Sequence, residues 1–264
     1  MSYQTRFSGI RRLYGSVGAE RLKNAHVAVV GLGGVGSWSV EALARTGIGQ
    51  LTLIDLDDIV ESNINRQLHA LSNTLHSTKV DEMTARVLQI NPDCKVNAIE
   101  DFVTKEGVSR YLGTQHDVII DAIDAVAVKA AMIAFAKRNK IKIITVGGAG
   151  GQTNPLLTTK GDLAKTIQDP LSAKVRSELR RLYNFSKNPK RRFGIECIYS
   201  TEQLKFPTPD GGVSQQKQQA QGSGKMDCST GFGAFVGVTS SFGMLAASRA
   251  IDHLVKLDRP TGSN

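Results

Sequence analysis

Residues 27–66 decide the fold of this chain, and they read VAVVGLGGVGSWSVEALARTGIGQLTLIDLDDIVESNINR. The apolar run Val27–Val30 predicts a buried strand that ends in a glycine-rich turn. Ser37–Thr46 predicts the following helix, and Leu51–Ile54 predicts a second strand that carries Asp55 at its carboxyl end. A glycine-rich turn between a strand and a helix binds phosphate, and an acid about 20 residues later often holds a ribose.

Strand and helix signals continue to alternate along the first half of the chain. Such alternation is typical of a parallel sheet, so it predicts an α/β fold with a Rossmann-like, mostly parallel sheet and helices on both faces. Right-handed crossovers would bring the carboxyl ends of the strands to one edge, where such sheets bind ligands. The further elements are the strands Val96–Ile99, Val118–Ile120 and Ile141–Val146 and the helices Lys79–Ile90 and Val126–Asn139.

The second half of the chain is less regular and strongly basic. Ser172–Tyr183 predicts a helix with an apolar face, after which positive charges accumulate. Lys205–Lys225 is rich in Gln, Gly, Ser and Pro, which predicts a mobile loop. We expect one domain over all 264 residues, with a nucleotide-binding core over 20–151 and a second half over 152–264.

Composition and charge are those of a globular protein with an anionic partner. The formal charge is +9 and the hydrophobic content is 41%, a balance that favours nucleotide or nucleic acid as a ligand. Cys94, Cys197 and Cys228 lie far apart and form no CxxC pair, which argues against a zinc ribbon and a disulfide framework. Because the N-terminus also lacks a continuous apolar segment, we expect a cytoplasmic protein.

One uncharged segment, Cys228–Ser248, is a candidate membrane span by hydropathy. It is crowded with Gly, Ser and Thr, and Asp227 and Arg249 bound it closely. We therefore expect a buried helix with close backbone packing at Gly233 and Gly237, and membrane association is the minority interpretation.

The glycine-rich turn contains four glycines. Gly31, Gly33 and Gly36 satisfy GxGxxG, and Gly34 adds another residue without a Cβ beside the N-terminus of the helix. The chain has no GxxxxGK[ST] motif, which excludes an ordinary P-loop. By itself the turn is compatible with a dinucleotide, with a triphosphate, or with a strand–helix connection that binds nothing.

Two cations near this turn change the balance between these ligands. Asp55 could hold the ribose of either NAD or ATP. Arg66 follows the amides Asn63 and Asn65, and Lys79 begins the next helix. Either cation alone could be a solvated surface charge, but two beside a phosphate cradle match a triphosphate better than the pyrophosphate of a dinucleotide. The sequence therefore favours ATP.

A pair of acids in VIIDAIDAV suggests a metal ion. Asp121 and Asp124 stand at a predicted strand end, and Mg²⁺ is usually held by one or two carboxylates together with phosphate oxygens. One of the two acids could instead cap the next helix. We assign Asp124 to the metal or nucleotide and give Asp121 a supporting role.

The basic stretch after residue 173 has two interpretations. Contact with an RNA backbone, with bases stacked on Tyr183 and Phe185, would suit it, and so would a merely solvated helix face. Cys228 could have a stabilised thiolate at a helix N-terminus, although a small buried residue is the favoured interpretation. The basic residues are Arg176, Arg180, Arg181, Lys187, Lys190, Arg191 and Arg192.

These motifs resemble the ubiquitin-activating-type adenylyltransferases. That similarity runs from about Arg6 to Gly151 and rests on GLGGVG, DLDDIVESNINRQ, Lys79 in STKVDEM, INPDCKV and DAID. Over nearly the whole chain, a finer pattern resembles the tRNA threonylcarbamoyladenosine dehydratases of the same superfamily. It consists of RLYG, EALARTGIGQLTLIDLDD, NRQLHAL, GGAGGQTNP, DLAKTIQDPL and KMDCSTGFG.

The resemblance implies an activity and a set of site residues. The activity is ATP- and Mg²⁺-dependent dehydration of threonylcarbamoyladenosine in tRNA, next to the anticodon, through adenylation of the substrate carboxylate. The implied partners are tRNA, a second copy of the chain, and a cysteine desulfurase with its sulfur acceptor. Arg66, Lys79 and Asp124 would be catalytic, with Asp124 at the metal. The implied nucleotide contacts are Gly31, Gly33, Gly34, Gly36, Asp55, Ser62, Asn63, Asn65, Arg66, Lys79, Asp124 and Ala125.

Two departures from the pattern of activating enzymes matter. Those enzymes often place an arginine of the partner subunit over the nucleotide, whereas Gly9 stands at that position here, so Arg11 or Arg12 would have to replace it. The zinc-binding CxxC pairs of the carrier-protein adenylyltransferases are also missing. The alternatives are an adenylyltransferase for the C-terminus of a ubiquitin-like sulfur carrier, an NAD-dependent oxidoreductase, and a non-catalytic RNA-binding module.

Overall fold

A seven-stranded sheet organises the computed structural model, which describes residues 2–216 and 232–256. The strand order is β3-β2-β1-β4-β5-β7-β6, and every pairing is parallel except that of β6 with β7. This confirms the predicted α/β, mostly parallel Rossmann-like fold. The strands are β1 His26–Val30, β2 Gln50–Ile54, β3 Lys95–Ile99, β4 Val118–Asp121, β5 Lys142–Val146, β6 Thr158–Asp162 and β7 Glu196–Ser200.

Helices cover both faces of the sheet because alternate strand residues point to opposite sides. Val27 and Val29 of β1 belong to one buried cluster, and Ala28 and Val30 belong to the other. The first cluster takes residues from α2, α3, α4 and α8, and the second from α5, α6 and α7. The helices are α1 Tyr3–Arg6, α2 Ser8–Lys23, α3 Gly36–Arg45, α4 Lys79–Ile90, α5 Val108–Tyr111, α6 Val126–Arg138, α7 Pro170–Leu182 and α8 Val236–Leu254.

The second half of the chain contains both helices that the sequence predicts there, and it also contributes strands to the sheet. It extends the sheet through β6 and β7, and it adds two long helices, α7 and α8. Within the predicted mobile loop, residues 206–214 contain a two-stranded hairpin formed by β8 (Phe206–Pro207) and β9 (Val213–Ser214). Residues 217–225 lie outside the described residues, and the division of the chain at residue 151 stays a prediction.

The predicted buried helix is α8, but its packing differs from the expectation. A methyl group at Gly233 would meet no atom within 4 Å, and one at Gly237 would meet only the nearby ring of Phe235. The close contact is at Gly243, where a methyl group would lie 2.4 Å from the carbonyl oxygen of Val35. α8 therefore packs on α3 one to two turns further along the chain than predicted. No helix within the described residues is long and apolar enough to cross a membrane.

Candidate functional site

The carboxyl ends of the central strands meet at one edge, and the glycine-rich turn occupies the middle of that edge. The Gly31 amide donates to the Ile54 carbonyl (2.9 Å), and the Ala122 amide donates to the Val30 carbonyl (2.9 Å). Gly31 has a φ of 87°, and a methyl group at Gly36 would lie 1.7 Å from the Gly31 carbonyl oxygen. The turn can fold this tightly only with glycine at these two positions. As a result, the backbone at the N-terminus of α3 is open to a phosphate.

Asp55 follows β2 and holds the glycine-rich turn in place. One carboxylate oxygen (Oδ2) accepts a 2.6 Å hydrogen bond from the Leu32 amide, and the other (Oδ1) accepts one from the Asp57 amide at 3.0 Å. The Lys79 ammonium lies 3.6 Å from the second oxygen. A carboxylate offers about four acceptor positions, so one position remains for a ribose hydroxyl. Asp55 can therefore anchor the turn and bind a ribose at the same time.

Lys79 begins α4 and points back to this carboxylate. Its ammonium lies 2.6 Å from Asp57 Oδ2, and its side chain is only 6% exposed. Three donors on the ammonium leave one for a phosphate oxygen after both aspartates are satisfied. The pairing of Lys79 with Asp57 was not predicted from the sequence. The run DLDD was the only available signal, and it does not say which acid turns inward.

His69 lies buried in the neighbourhood of Lys79. Neither of its ring nitrogens has a hydrogen-bond partner within the described residues. Burial, reinforced by the positive charge of Lys79, lowers the pKa of His69 to about 4. The imidazole is therefore neutral at physiological pH, and it adds no positive charge beside the cradle.

Arg66 covers the other side of the glycine-rich turn. Its Nη1 donates to the Ser62 carbonyl and to Asn65 Oδ1, both at 2.8 Å, and its own carbonyl accepts from the Trp38 indole at 3.0 Å. A methyl group at Gly34 would lie 3.1 Å from Arg66 Cγ. The structure thus brings the predicted cation within contact of the cradle, with its remaining guanidinium donors available to a ligand.

The two amides beside Arg66 have different surroundings. Asn63 is buried, and its side-chain oxygen accepts from the Val60 amide at 3.2 Å, which shapes the short 3-10 helix Glu61–Asn63. Asn65 is exposed, and its Nδ2 donates to the Ala234 carbonyl at 3.0 Å. Asn65 therefore connects the Arg66 loop to the segment that precedes α8, a contact that local sequence patterns do not predict.

The two acids at the end of β4 have different surroundings. Asp121 is fully buried, lies 2.8 Å from the Lys129 ammonium and accepts a 2.6 Å hydrogen bond from Thr145. Its burial raises its pKa, while Lys129 and Thr145 oppose this by stabilising the charged form. Asp124 is exposed just before α6, next to Ala125, and makes no hydrogen bond or ion pair within the described residues. Asp121 is thus a scaffold residue, and Asp124 is free to meet a ligand.

The site offers a metal ion few protein ligands. Within residues 2–216 and 232–256, no group of three or more His, Cys, Asp or Glu side chains could enclose a metal ion. Cys94 and Cys197 are buried thiols whose pKa values burial raises to about 12. Cys228 lies outside the described residues. These residues fit an ion held by one carboxylate and by phosphate oxygens, and they do not fit a closed zinc site.

The predicted RNA-binding residues lie away from the nucleotide site. The guanidinium of Arg180 stacks on the Phe193 ring (5.3 Å), and the Lys137 ammonium donates to the Phe193 carbonyl. Lys137 is in the last turn of α6, so this basic surface is near the amino-terminal edge of the sheet. A 13-residue helix is about 20 Å long, which is the approximate separation from the phosphate cradle. Lys190, Arg191 and Arg192 are exposed there.

Several side chains of this basic surface are partly buried. Phe185 packs edge-on against Phe193 (4.9 Å between ring centroids) and Tyr183 is half-buried against the same core, so only part of each ring is open to a base. Arg176 donates to Thr166, and burial together with the charge of Arg180 lowers its pKa. Arg176 and Arg180 border an open groove of about 410 Å³ with Arg181 and Lys187.

Comparisons with known proteins match nearly the whole chain. The sequence pattern of the ThiF family matches residues 7–262. A tRNA threonylcarbamoyladenosine dehydratase of Haemophilus influenzae is 54% identical over 97% of the chain and 95% of that protein. The crystal structure of the E. coli tRNA N6-threonylcarbamoyladenosine dehydratase in complex with ATP is 45% identical, with a TM-score of 0.85 over 96% of the chain and 94% of that structure.

The carrier-protein alternative matches less of the molecule. A molybdopterin-synthase adenylyltransferase of Salmonella typhimurium is 32% identical over 48% of the chain and 51% of that enzyme. A match over about half the chain is what a shared nucleotide-binding fold alone would give. The dehydratases match the second half as well, and they therefore agree better with this chain.

Proposed function

The chain belongs to the ThiF family and, within it, to the tRNA threonylcarbamoyladenosine dehydratases, and we infer that it catalyses the ATP-dependent dehydration of threonylcarbamoyladenosine in tRNA, next to the anticodon. One observation carries the proposal: the phosphate cradle, the two cations Arg66 and Lys79, and the free carboxylate of Asp124 lie at one sheet edge. A second half that matches dehydratases along its length supports tRNA as the substrate.

The reaction begins with activation of a poor electrophile. An oxygen of the substrate carboxylate attacks the α-phosphorus of ATP, the bond to the bridging oxygen breaks, and pyrophosphate leaves. A nucleophilic atom of the carbamoyl group then attacks the acyl carbon and loses its proton, and AMP departs with the former carboxylate oxygen. The products are the cyclic nucleoside, AMP and pyrophosphate, so the nucleoside has lost one water overall. No protein nucleophile is required.

The residues of the cradle supply the electrostatic part of this reaction. The guanidinium of Arg66 and the free donor of Lys79 face the phosphates, where negative charge shifts to the leaving group. Asp55 fixes the turn and the ribose, which orients the α-phosphorus toward the substrate. Asp124 would hold Mg²⁺, an ion that neutralises phosphate charge when bound.

The test is mass spectrometry of tRNA nucleosides after incubation with ATP and Mg²⁺. We expect threonylcarbamoyladenosine to lose one water only when ATP is present, with AMP released in equal amount. Transfer RNA without the threonylcarbamoyl group is the control, and it should consume no ATP. Unchanged nucleoside in the presence of folded, ATP-binding protein would refute the proposal.

We propose that tRNA lies across the protein from the nucleotide edge toward the basic surface of α7. That surface is about 20 Å from the cradle by helix length, so it would hold backbone phosphates rather than the reacting nucleoside. The neutral imidazole of His69 leaves the phosphate contacts at the cradle to Arg66 and Lys79. A tRNA substrate also supports the cytoplasm as the location.

We also propose a homodimer, supported by exposed apolar residues on both sides of the kink at Gly15 in α2. Leu13 is 71% and Val17 is 52% exposed, and a second copy of the chain would remove them from water. Light scattering of Leu13→Glu should give half the mass of the parent protein, and an unchanged mass would reject this face. The family resemblance further supports a cysteine desulfurase and its sulfur acceptor as partners, which co-purification would test.

A further inference from the structure

The phenylalanine side chain of Phe232 packs closely against two glycines beside the nucleotide edge. A methyl group at Gly150 would lie 2.9 Å from Phe232 Cβ, and one at Gly151 would lie 2.8 Å from Phe232 Cδ1. Only glycine leaves room for the ring there. Phe206 supports the ring from the side, with 5.2 Å between centroids. The Gly151 amide donates to the Gly233 carbonyl at 2.8 Å, which fixes the two segments together.

This ring is supported, yet it is not buried. Phe232 is 41% exposed, although its Cβ and Cδ1 pack closely against Gly150 and Gly151. A phenylalanine that only filled space would hide most of its apolar surface, because each Å² left in water forgoes about 25 cal/mol. A rigidly held ring with a large exposed area is what a stacking surface needs.

The position of Phe232 relates this surface to the nucleotide. Two residues further on, the Ala234 carbonyl accepts from Asn65, which in turn accepts from Arg66. Two residues span at most about 7 Å, so the ring stands close to the loop that faces the ATP phosphates.

We propose that the exposed face of Phe232 is the platform on which the adenine base of the modified nucleoside stacks during the reaction. This rests on the proposed function, because the base belongs to its tRNA substrate. Bases in single-stranded RNA loops are recognised by splaying out and stacking on aromatic side chains. Stacking here would place the threonylcarbamoyl group of the same nucleoside toward Arg66 and the cradle. Phe232 thus serves as a positioning and specificity-determining residue.

The kinetic test replaces the ring while it keeps an apolar side chain. Loss of one base–aromatic stack weakens binding by about 5- to 150-fold, so Phe232→Leu should raise KM for tRNA by a factor in that range. Phe232→Tyr should restore it, and the affinity for ATP alone should not change in either variant. A KM for tRNA within twofold of the parent protein in Phe232→Leu would overturn the proposal.

The matched control is another exposed phenylalanine at the same sheet edge. Phe102 is 57% exposed and follows β3, which is four strand positions from β5. At about 4.8 Å per strand, the two rings stand roughly 20 Å apart. Phe102→Leu should leave KM for tRNA unchanged at saturating ATP. An equal rise in both variants would indicate a general effect of surface apolar loss and would overturn the proposal.

Photocrosslinking identifies what covers the ring. With p-benzoylphenylalanine at position 232, irradiation should attach the protein to the threonylcarbamoyl-bearing nucleoside, located by nuclease digestion and mass spectrometry. Crosslinking to a second copy of the chain, or to no RNA, would overturn the stacking assignment. If the parent protein dehydrates tRNA normally, these failures reject only the platform. If the parent protein has no activity on tRNA, the proposed function itself falls.

Discussion

Substitution by alanine should have very different effects on the unfolding free energy at two glycines of the turn, Gly34 and Gly36. A methyl group at Gly34 would meet Arg66 Cγ at 3.1 Å and Cδ at 3.3 Å, whereas a methyl group at Gly36 would meet the Gly31 carbonyl oxygen at 1.7 Å. Favourable contacts between carbon atoms are about 3.5–4.0 Å. Gly34→Ala therefore asks a flexible side chain to move a few tenths of an ångström. Gly36→Ala asks the backbone to move by well over an ångström.

The expected magnitudes follow from these distances. At Gly34, the lower entropy of the unfolded chain is worth about 0.4–1 kcal/mol and offsets the tight contact, so the unfolding free energy should change by less than about 1 kcal/mol. At Gly36, overpacking against fixed backbone should cost about 3 kcal/mol or more. Removal of a charge-assisted contact costs about 1.5–3 kcal/mol, so Arg66→Ala should weaken ATP binding by about 10- to 150-fold. Gly34→Ala only displaces Arg66 and should weaken it by roughly three- to tenfold.

The assay pairs urea denaturation, followed by far-UV circular dichroism, with calorimetric titration of ATP in the absence of tRNA. Gly34→Ala should unfold at the same urea concentration as the parent protein and should bind ATP more weakly. Gly36→Ala should lose stability. The double variant Gly34→Ala/Arg66→Ala should bind no more weakly than Arg66→Ala alone, since both changes act through one side chain. Parental ATP affinity in Gly34→Ala, or equal destabilisation by both alanines, would refute this account of the cradle.

Three other outcomes are expected. Asp124→Asn should keep the parental stability, because its exposed carboxylate has no partner in the described residues. It should nevertheless slow nucleoside dehydration by about 100-fold or more. Asp93→Asn, a control at another exposed aspartate, should change neither the stability nor the rate. Burial lowers the pKa values of His69 and His116 to about 4, so the neutral imidazoles stabilise the fold above pH 6.5 and this stability is lost as the pH falls toward 4. Urea unfolding should show a loss of about 2 kcal/mol of unfolding free energy per histidine between pH 7 and pH 5. In His116→Asn, this loss of stability with falling pH should be about half as large. Neutralising four arginines of the basic surface should weaken tRNA binding in a filter assay, while calorimetry should show unchanged ATP affinity. Equal loss of both would indicate misfolding. The residues to change are Arg180, Arg181, Arg191 and Arg192.

Local sequence patterns predicted the nucleotide-binding half of the fold closely. The helix Lys79–Ile90 has the predicted bounds, and β1 begins one residue before the predicted strand. These elements were readable because the strands are continuous apolar runs and the helix has 3.6-residue apolar spacing between clear end signals. The N-terminal helix α2 and the edge strand β6 were missed, since each is only weakly apolar and neither has a strong periodic pattern.

Side-chain partners could not be read in the same way. The sequence placed Lys79 beside the phosphate cradle but did not pair it with Asp57, which lies 2.6 Å away. It assigned Asp121 a supporting role but did not identify Lys129, the buried lysine eight residues along that pairs with this acid. It assigned the close packing of α8 to the wrong glycines. Each of these depends on which face of an element turns inward at a contact between distant segments.

The sequence by itself indicated a phosphate-binding turn at the end of β1, because a strand that leads through GxGxxG into a helix leaves backbone amides unpaired at the helix N-terminus. It also determined the preference for a triphosphate, through two cations whose spacing puts them at one sheet edge. Only the tertiary structure decided that Asp121 pairs with a buried lysine, that the basic surface stands at the opposite edge, and that Phe232 lies exposed against two glycines. Burial and long-range contact set these properties, and they arise when the chain has closed on itself.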